Sequence, residues 1–293
     1  MNTPLHVVVG TDGSPSARNA VRVAAAEAAV RGLPLRILTA TDSPAIRDRA
    51  GRDEEPPERR MLGDADALLA HAIDLAAETL PSDQISTDIV VEAAAPELLY
   101  ESRYAALLVV GTRGHGGLHT AVLGSVSAHV AAHAHCPVLV VPEWLVPMAP
   151  DAPVVVGVDG TGRSAAALDA AFAEARLHRT SVLAVHAFAM LPVLAGPMAG
   201  APLAYASTLR PADEAAALSH AIAPFRSAFA DVPVLERTSE CSASHELVEA
   251  GRGSRMIVLA TRGRTGVAGL LHGSVTAAVF HHAECPVLVV RQP

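Results

Sequence analysis

Gly111-Thr112-Arg113-Gly114, then nine residues, then Gly124-Ser125, is the stretch that decides the reading of this chain. An apolar run, Ala105 to Val110, precedes it, and a second, Val138 to Val141, follows Cys136-Pro137. Glycines placed after a strand and before a helix bring backbone N–H groups close enough to hold a phosphate. The stretch occurs twice. Ala260-Thr261-Arg262-Gly263, nine residues, and Gly273-Ser274 follow Met256 to Leu259, and Cys285-Pro286 opens the next run at the same spacing. A lone Gly-x-x-Gly would carry little weight. The long fixed spacing, the Gly-Ser end and the duplication carry much more.

The repeat extends outward from there. Val7-Val8-Val9-Gly10-Thr11-Asp12-Gly13-Ser14 recurs 147 residues later as Val154-Val155-Val156-Gly157-Val158-Asp159-Gly160-Thr161, and Gly114 recurs 149 residues later as Gly263. The 293-residue chain is therefore two homologous halves, each the size of an ordinary domain. The domains are set at 1–142 and 153–293, and the proline-rich stretch from Pro142 to Pro153 is the linker.

Within the first half, His6 to Gly10 reads as a buried strand and Asp12 to Ser16 as a turn into a helix. Ser14 or Ser16 is its N-cap and Gly32 its stop. Leu35 to Thr39 is the second strand, Asp42 to Arg60 a charged loop, and Leu62 to Leu80 an amphipathic helix. Ile85 to Glu92, Pro96 to Arg103, Ala105 to Val110, Ser125 to His135 and Val138 to Val141 complete an alternation of strand and helix, which the second half repeats. That order implies a parallel sheet with right-handed crossovers. The loops after the second strand differ. The second half has an apolar one, Leu191 to Thr208, expected to pack on the other half or on a partner.

Composition narrows the class. Hydrophobic residues make up 51%, charged ones 18% and aromatics 3%, with a net charge of −8. Such a chain has enough apolar surface for two cores, and an acidic balance excludes a nucleic-acid partner, which needs a basic face. No apolar run is long enough to span a bilayer and no signal peptide is visible, so a cytoplasmic protein is expected. Cys136 and Cys285 are repeat equivalents and Cys241 is left over, a pattern of reduced thiols rather than a disulfide framework.

The glycine pattern resembles that of the universal stress protein family, in its ATP-binding branch: Gly-x-x-Gly, nine residues, then Gly followed by Ser or Thr. Gly111, Gly114, Gly124 and Ser125 match it; Gly263, Gly273 and Ser274 match it with Ala260 in place of the first glycine. The resemblance runs from Val7 to Val141 and from Val154 to Val290. It implies an α/β fold of two tandem five-stranded parallel-sheet domains, Rossmann-like and similar to the adenine nucleotide alpha hydrolases. Each domain is expected to hold ATP, with Mg²⁺ carried by the phosphates, as a structural or regulatory ligand in stress response.

On that resemblance Gly10, Thr11 and Asp12, with Gly157, Val158 and Asp159, lie beside the nucleotide, and the aspartates reach the ribose or Mg²⁺. Ala40 and Ala187 recognise the adenine edge through their backbone. Gly114, Gly124, Ser125, Val126 and Ser127, with Gly263, Gly273, Ser274, Val275 and Thr276, take the phosphates. Arg113 and Arg262 pair with phosphate or form surface salt bridges. Ala260 weakens the second site if its position needs positive φ or close phosphate approach, and is harmless if it only lines the adenine pocket. Partners implied are an adenine nucleotide, a second copy of the chain and an unidentified protein. The last strands of the two domains are expected to pair, within the chain or between chains.

Other readings weigh less. An ATPase or adenylyl-transfer enzyme would carry a further signature such as His-x-x-His near the first strand, and none stands near Val7 to Ser16. A nucleotide-free interaction scaffold sits poorly with the complete first motif. No catalytic residue and no metal site are expected. His129 and His133, four apart and near His135 and Cys136, have ligand spacing, but the second half has His281 and His282 instead. His115 and His119 correspond to Arg264 and Ala268, so only the first of these positions keeps a basic character. Cys136 and Cys285 read as small residues at a helix-to-strand junction, with nothing in favour of a redox role.

Overall fold

The computed structural model describes residues 5–41, 57–91, 93–114, 123–159, 162–188, 211–261 and 274–292. The loops 42–56 and 191–208, Arg262, Gly263 and Gly273, and the positions His115, His119, Arg264 and Ala268 lie outside the described residues.

The first half runs β1 (His6–Gly10), α1 (Pro15–Arg31), β2 (Leu35–Ala40), α2 (Pro57–Ala77), β3 (Ile85–Val90), α3 (Ala94–Glu101), β4 (Ala105–Gly111), α4 (Ser125–His133) and β5 (Val138–Val141). The second runs β6 (Val154–Gly157), α5 (Ala165–Leu177), β7 (Val182–Ala187), α6 (Pro211–Ala228), β8 (Val234–Ser239), α7 (Ala243–Gly251), β9 (Met256–Thr261), α8 (Ser274–His282) and β10 (Val287–Arg291). The elements follow the sequence pattern, with shifts at their ends. Ala94 opens α3 two residues before Pro96, which a helix tolerates in its first turn. Helix α4 stops at His133, where the Ala134 N–H still reaches the Val130 carbonyl, ahead of the Cys136-Pro137 pair.

Within each half the strands are parallel, and they sit in the order β3-β2-β1-β4-β5 and β8-β7-β6-β9-β10. The Val-rich central strands are buried on both faces, as a sheet covered by helices on both sides requires. Alanines let α1 lie close to the sheet: Ala17, Ala20, Ala24, Ala25 and Ala28 are all buried. The two halves join through their last strands. Strands β5 and β10 pair antiparallel, Val140 with Val287, Leu139 with Leu288 and Val138 with Val289, which makes one ten-stranded sheet. The expected pairing of last strands thus occurs within the chain. One apolar layer is continuous through it, from Leu139 and Val141 to Leu288 and Val290.

The linker is held along its length. Asn19 Nδ2 donates to the Glu143 carbonyl at 2.8 Å, the Val146 N–H to the Glu284 carbonyl at 3.0 Å, and Arg255 to the Pro150 carbonyl at 2.8 Å. Among the described residues no helix is long and apolar enough to cross a membrane.

Candidate functional site

Strand order reverses between β1 and β4, whose neighbours β2 and β5 lie on opposite sides. The loops after β1 and β4 therefore diverge to opposite faces of the sheet and leave a crevice beyond the strand ends. In the first half that crevice is a cavity of about 340 Å³. Gly10, Thr11, Asp12, Ala40, Gly111, Arg113, Gly114, Gly124, Ser125, Val126 and Ser127 all line it, so the structure brings together the first-half residues that the resemblance set beside a nucleotide. Leu38, Val90, Leu98 and Val110 add an apolar wall.

The polar end is built from backbone. Helix α4 starts behind Gly124 with no side-chain cap, so its first N–H groups and its partial positive charge face the crevice. The Ser127 hydroxyl donates to the Gly111 carbonyl at 2.6 Å, and the Gly124 N–H to the Thr112 carbonyl at 2.8 Å, which fixes that helix end on β4. Asp12 Oδ1 accepts from the Ser14 N–H at 3.0 Å. A Cβ on Gly114 would collide with Asp12 Oδ2, so that position must be glycine to leave the carboxylate in place.

Two serines complete the frame, and the sequence marked them only as helix caps. Ser14 is the N-cap of α1, accepting from the Ala17 N–H, and its hydroxyl donates to the Arg113 carbonyl at 3.0 Å. Ser16, 1% exposed, donates to the same carbonyl at 2.5 Å and accepts from the Arg113 N–H at 3.3 Å. The start of α1 is thereby locked onto the glycine segment. The lock explains Gly111. A Cβ there would stand 2.5 Å from Ser16 Oγ, 2.8 Å from the Ser16 carbonyl carbon and 2.9 Å from the Ala17 nitrogen.

The second half is built differently at this point. Gly162 takes the place of Pro15 at the 147-residue offset, with φ of 76°, and α5 begins only at Ala165. Arg163, in the place of Ser16, lies 3.6 Å from Asp159 instead. Asp159 is also bonded to Ser164, whose hydroxyl donates to Oδ1 at 3.0 Å. Ala260, near the end of β9, stands in the place of Gly111. Gly111 does not take positive φ, and the close approach of Ser16 and Ala17 is enough to call for glycine there. A further departure is His186, in the place of Thr39. It is buried, with Nδ1 2.7 Å from the Val158 carbonyl and Nε2 2.7 Å from Glu214 of α6. Gly157 still packs on Leu247 as Gly10 packs on Leu98, and Ala187, Val275 and Thr276 keep their places at the end of β7 and the start of α8.

Burial pushes Cys136 up to about 12 and Cys285 up to about 11, far from the range of a reactive thiolate. His133 Nδ1 lies 2.8 Å from the His129 carbonyl, so the His133 ring is turned back onto its own helix.

The model of the universal stress protein family matches residues 5–142 and 152–291. The universal stress protein Rv2623 of Mycobacterium tuberculosis is 32% identical over 301 residues, spanning 99% of this chain and 98% of that protein. The universal stress protein Mb2028c of Mycobacterium bovis is 32% identical over 296 residues, spanning 98% of this chain and 97% of that protein. A crystal structure of a universal stress protein from Archaeoglobus fulgidus shares the fold, with a TM-score of 0.69 at 16% identity, over 98% of this chain and 96% of that one. Two matches to one family model, which together take in nearly every residue, and full-length relatives above 30% identity establish that this chain belongs to the universal stress protein family.

Proposed function

We propose that the chain binds ATP, with Mg²⁺ carried by its phosphates, as a structural and regulatory ligand in a cytoplasmic stress response. The observation that carries this reading is the first-half crevice. It has an apolar wall of a size for a base at one side and an uncapped helix N-terminus on a glycine segment at the other. Arg113 supplies positive charge to phosphate, and Asp12 supplies the hard carboxylate oxygen that Mg²⁺ takes. Ala40 offers backbone at the adenine edge. Gly157, Val158, Asp159, Ala187, Ala260, Ser274, Val275 and Thr276 would serve the second half in the same way, with Arg262, Gly263 and Gly273.

Ligand bound only by the folded state stabilises it, by about 2.7 kcal/mol at a hundredfold excess over Kd. It also shifts the population of any partner-binding form. A homodimer would form through surfaces other than β5 and β10, since those strands bond each other. The test is to denature the purified protein and measure nucleotide in the supernatant. Two ATP per chain are expected. None, with no thermal shift on adding Mg²⁺-ATP, overturns the reading in favour of a scaffold. Steady-state turnover in the ordinary enzyme range overturns it in favour of an ATPase.

A further inference from the structure

The helices that meet across the middle of the molecule carry side chains that nucleotide binding does not use. Glu27 and Arg31 stand on α1; Glu174 on α5 and His178 at its C-cap are their repeat equivalents, 147 residues on. Pairing of β5 with β10 turns the halves so that all four converge. Arg31 Nη2 donates to both Glu174 oxygens, at 2.7 and 2.9 Å, and lies 3.2 Å from Glu27 Oε2. His178 Nε2 stands 3.2 Å from Glu27 Oε1 and 3.7 Å from Glu174 Oε2. The His178 side chain is 4% exposed and that of Glu27 7%, yet neither His178 Nε2 nor Glu27 Oε2 finds hydrogen-bond geometry with any neighbour.

Two observations point to a cation. The imidazole nitrogen and one oxygen of each carboxylate all lie within 4.8 Å of one another. A tetrahedral zinc ion bound at about 2.0–2.2 Å holds its ligands about 3.4 Å apart, within the range found around His178. Charge gives the second. Two buried carboxylates face one guanidinium, and a cation held at the imidazole nitrogen would supply a second positive charge. Arg31 is then the outer group that orients Glu174. We propose that Glu27, Glu174 and His178 bind a divalent cation of the zinc type, which ties α1 to α5 and staples the two halves together.

The test uses full-length, nucleotide-free protein stripped with EDTA. It is titrated with Zn²⁺ by calorimetry and with Co²⁺ by absorption spectroscopy. The expected result is one tight ion per chain, a higher midpoint of thermal unfolding, and Co²⁺ d–d bands without a thiolate charge-transfer band. His178→Gln and Glu27→Gln each weaken Zn²⁺ binding by about tenfold or more while keeping the far-UV circular dichroism, and His129→Gln leaves binding unchanged. The proposal is overturned if the wild type takes up no Zn²⁺ at micromolar concentration, or if its Co²⁺ spectrum carries a thiolate band. It is equally overturned if the folded His178→Gln and Glu27→Gln proteins bind Zn²⁺ as tightly as the wild type, the cluster then being an ion-pair lock alone.

Discussion

The starts of α1 and α5 occupy the same place in the two halves, yet they solve the same packing problem in opposite ways. Helix α1 keeps its first turn, caps it with Ser14, and drives Ser16 into the glycine segment, which leaves no room for a side chain at residue 111. Helix α5 begins later, beyond a turn through Gly162, and Ala260 takes the place of the glycine. The exchange of glycine for alanine accompanies this later helix start, about a hundred residues away in the chain, and coupling of the two is what the substitutions below test. The lesson is that a motif glycine is explained by what lies against it, here Ser16 and Ala17 against Gly111.

The sharpest way to break this comparison is to exchange the two residues. Gly111→Ala should cost about 3 kcal/mol, because the atoms in the way are backbone as well as side chain. Ala260→Gly should cost only about 0.5–1 kcal/mol, the conformational penalty of glycine in a strand, and should not raise the nucleotide content. Urea unfolding measures both, and equal effects would sink the account. Next in size is Ser16→Ala, which removes a buried hydroxyl bonded to both the carbonyl and the N–H of Arg113. A loss of about 1–2 kcal/mol and weaker ATP binding by the first half are expected, against a change within about 0.5 kcal/mol for the exposed Arg163→Ala.

The C-termini of the same helices sharpen the comparison further. Gly32 closes α1 at φ of 63°, and Arg179 closes α5 at φ of 54°, a conformation that L residues other than glycine disfavour. Arg179→Gly should stabilise the protein by about 1 kcal/mol in thermal or urea unfolding, and Gly32→Arg should destabilise it by a similar amount. The smallest effect concerns reactivity. At pH 8 a thiol with a pKa near 12 is ionised to only about one part in ten thousand, so a disulfide reagent should label Cys241 first and leave Cys136 and Cys285 untouched in the native state. Mass mapping of the labelled peptides checks this, and early modification of Cys136 would contradict the burial assigned to it.

Much of the molecule is determined by the sequence alone. Local periodicity sets β1, α1 and the strand before each glycine segment. A duplicated pattern at a 147-residue offset sets two halves of one architecture. Glycine spacing marks the crevice residues Gly111, Gly114, Gly124 and Ser125, since backbone approach to a ligand demands small residues at fixed chain positions, and the family resemblance adds Gly10 and Asp12 at the end of the first strand. Tertiary structure alone decides the rest, because it depends on atoms that are near in space and distant in sequence. The Ser14 and Ser16 hydroxyls look like ordinary helix caps until β4 brings the Arg113 carbonyl to them. His186 looks like any strand residue until α6 brings Glu214 against it. Glu27 and Glu174 are unremarked helix positions until β5 and β10 pair and place two carboxylates, a guanidinium and an imidazole at one point between the halves.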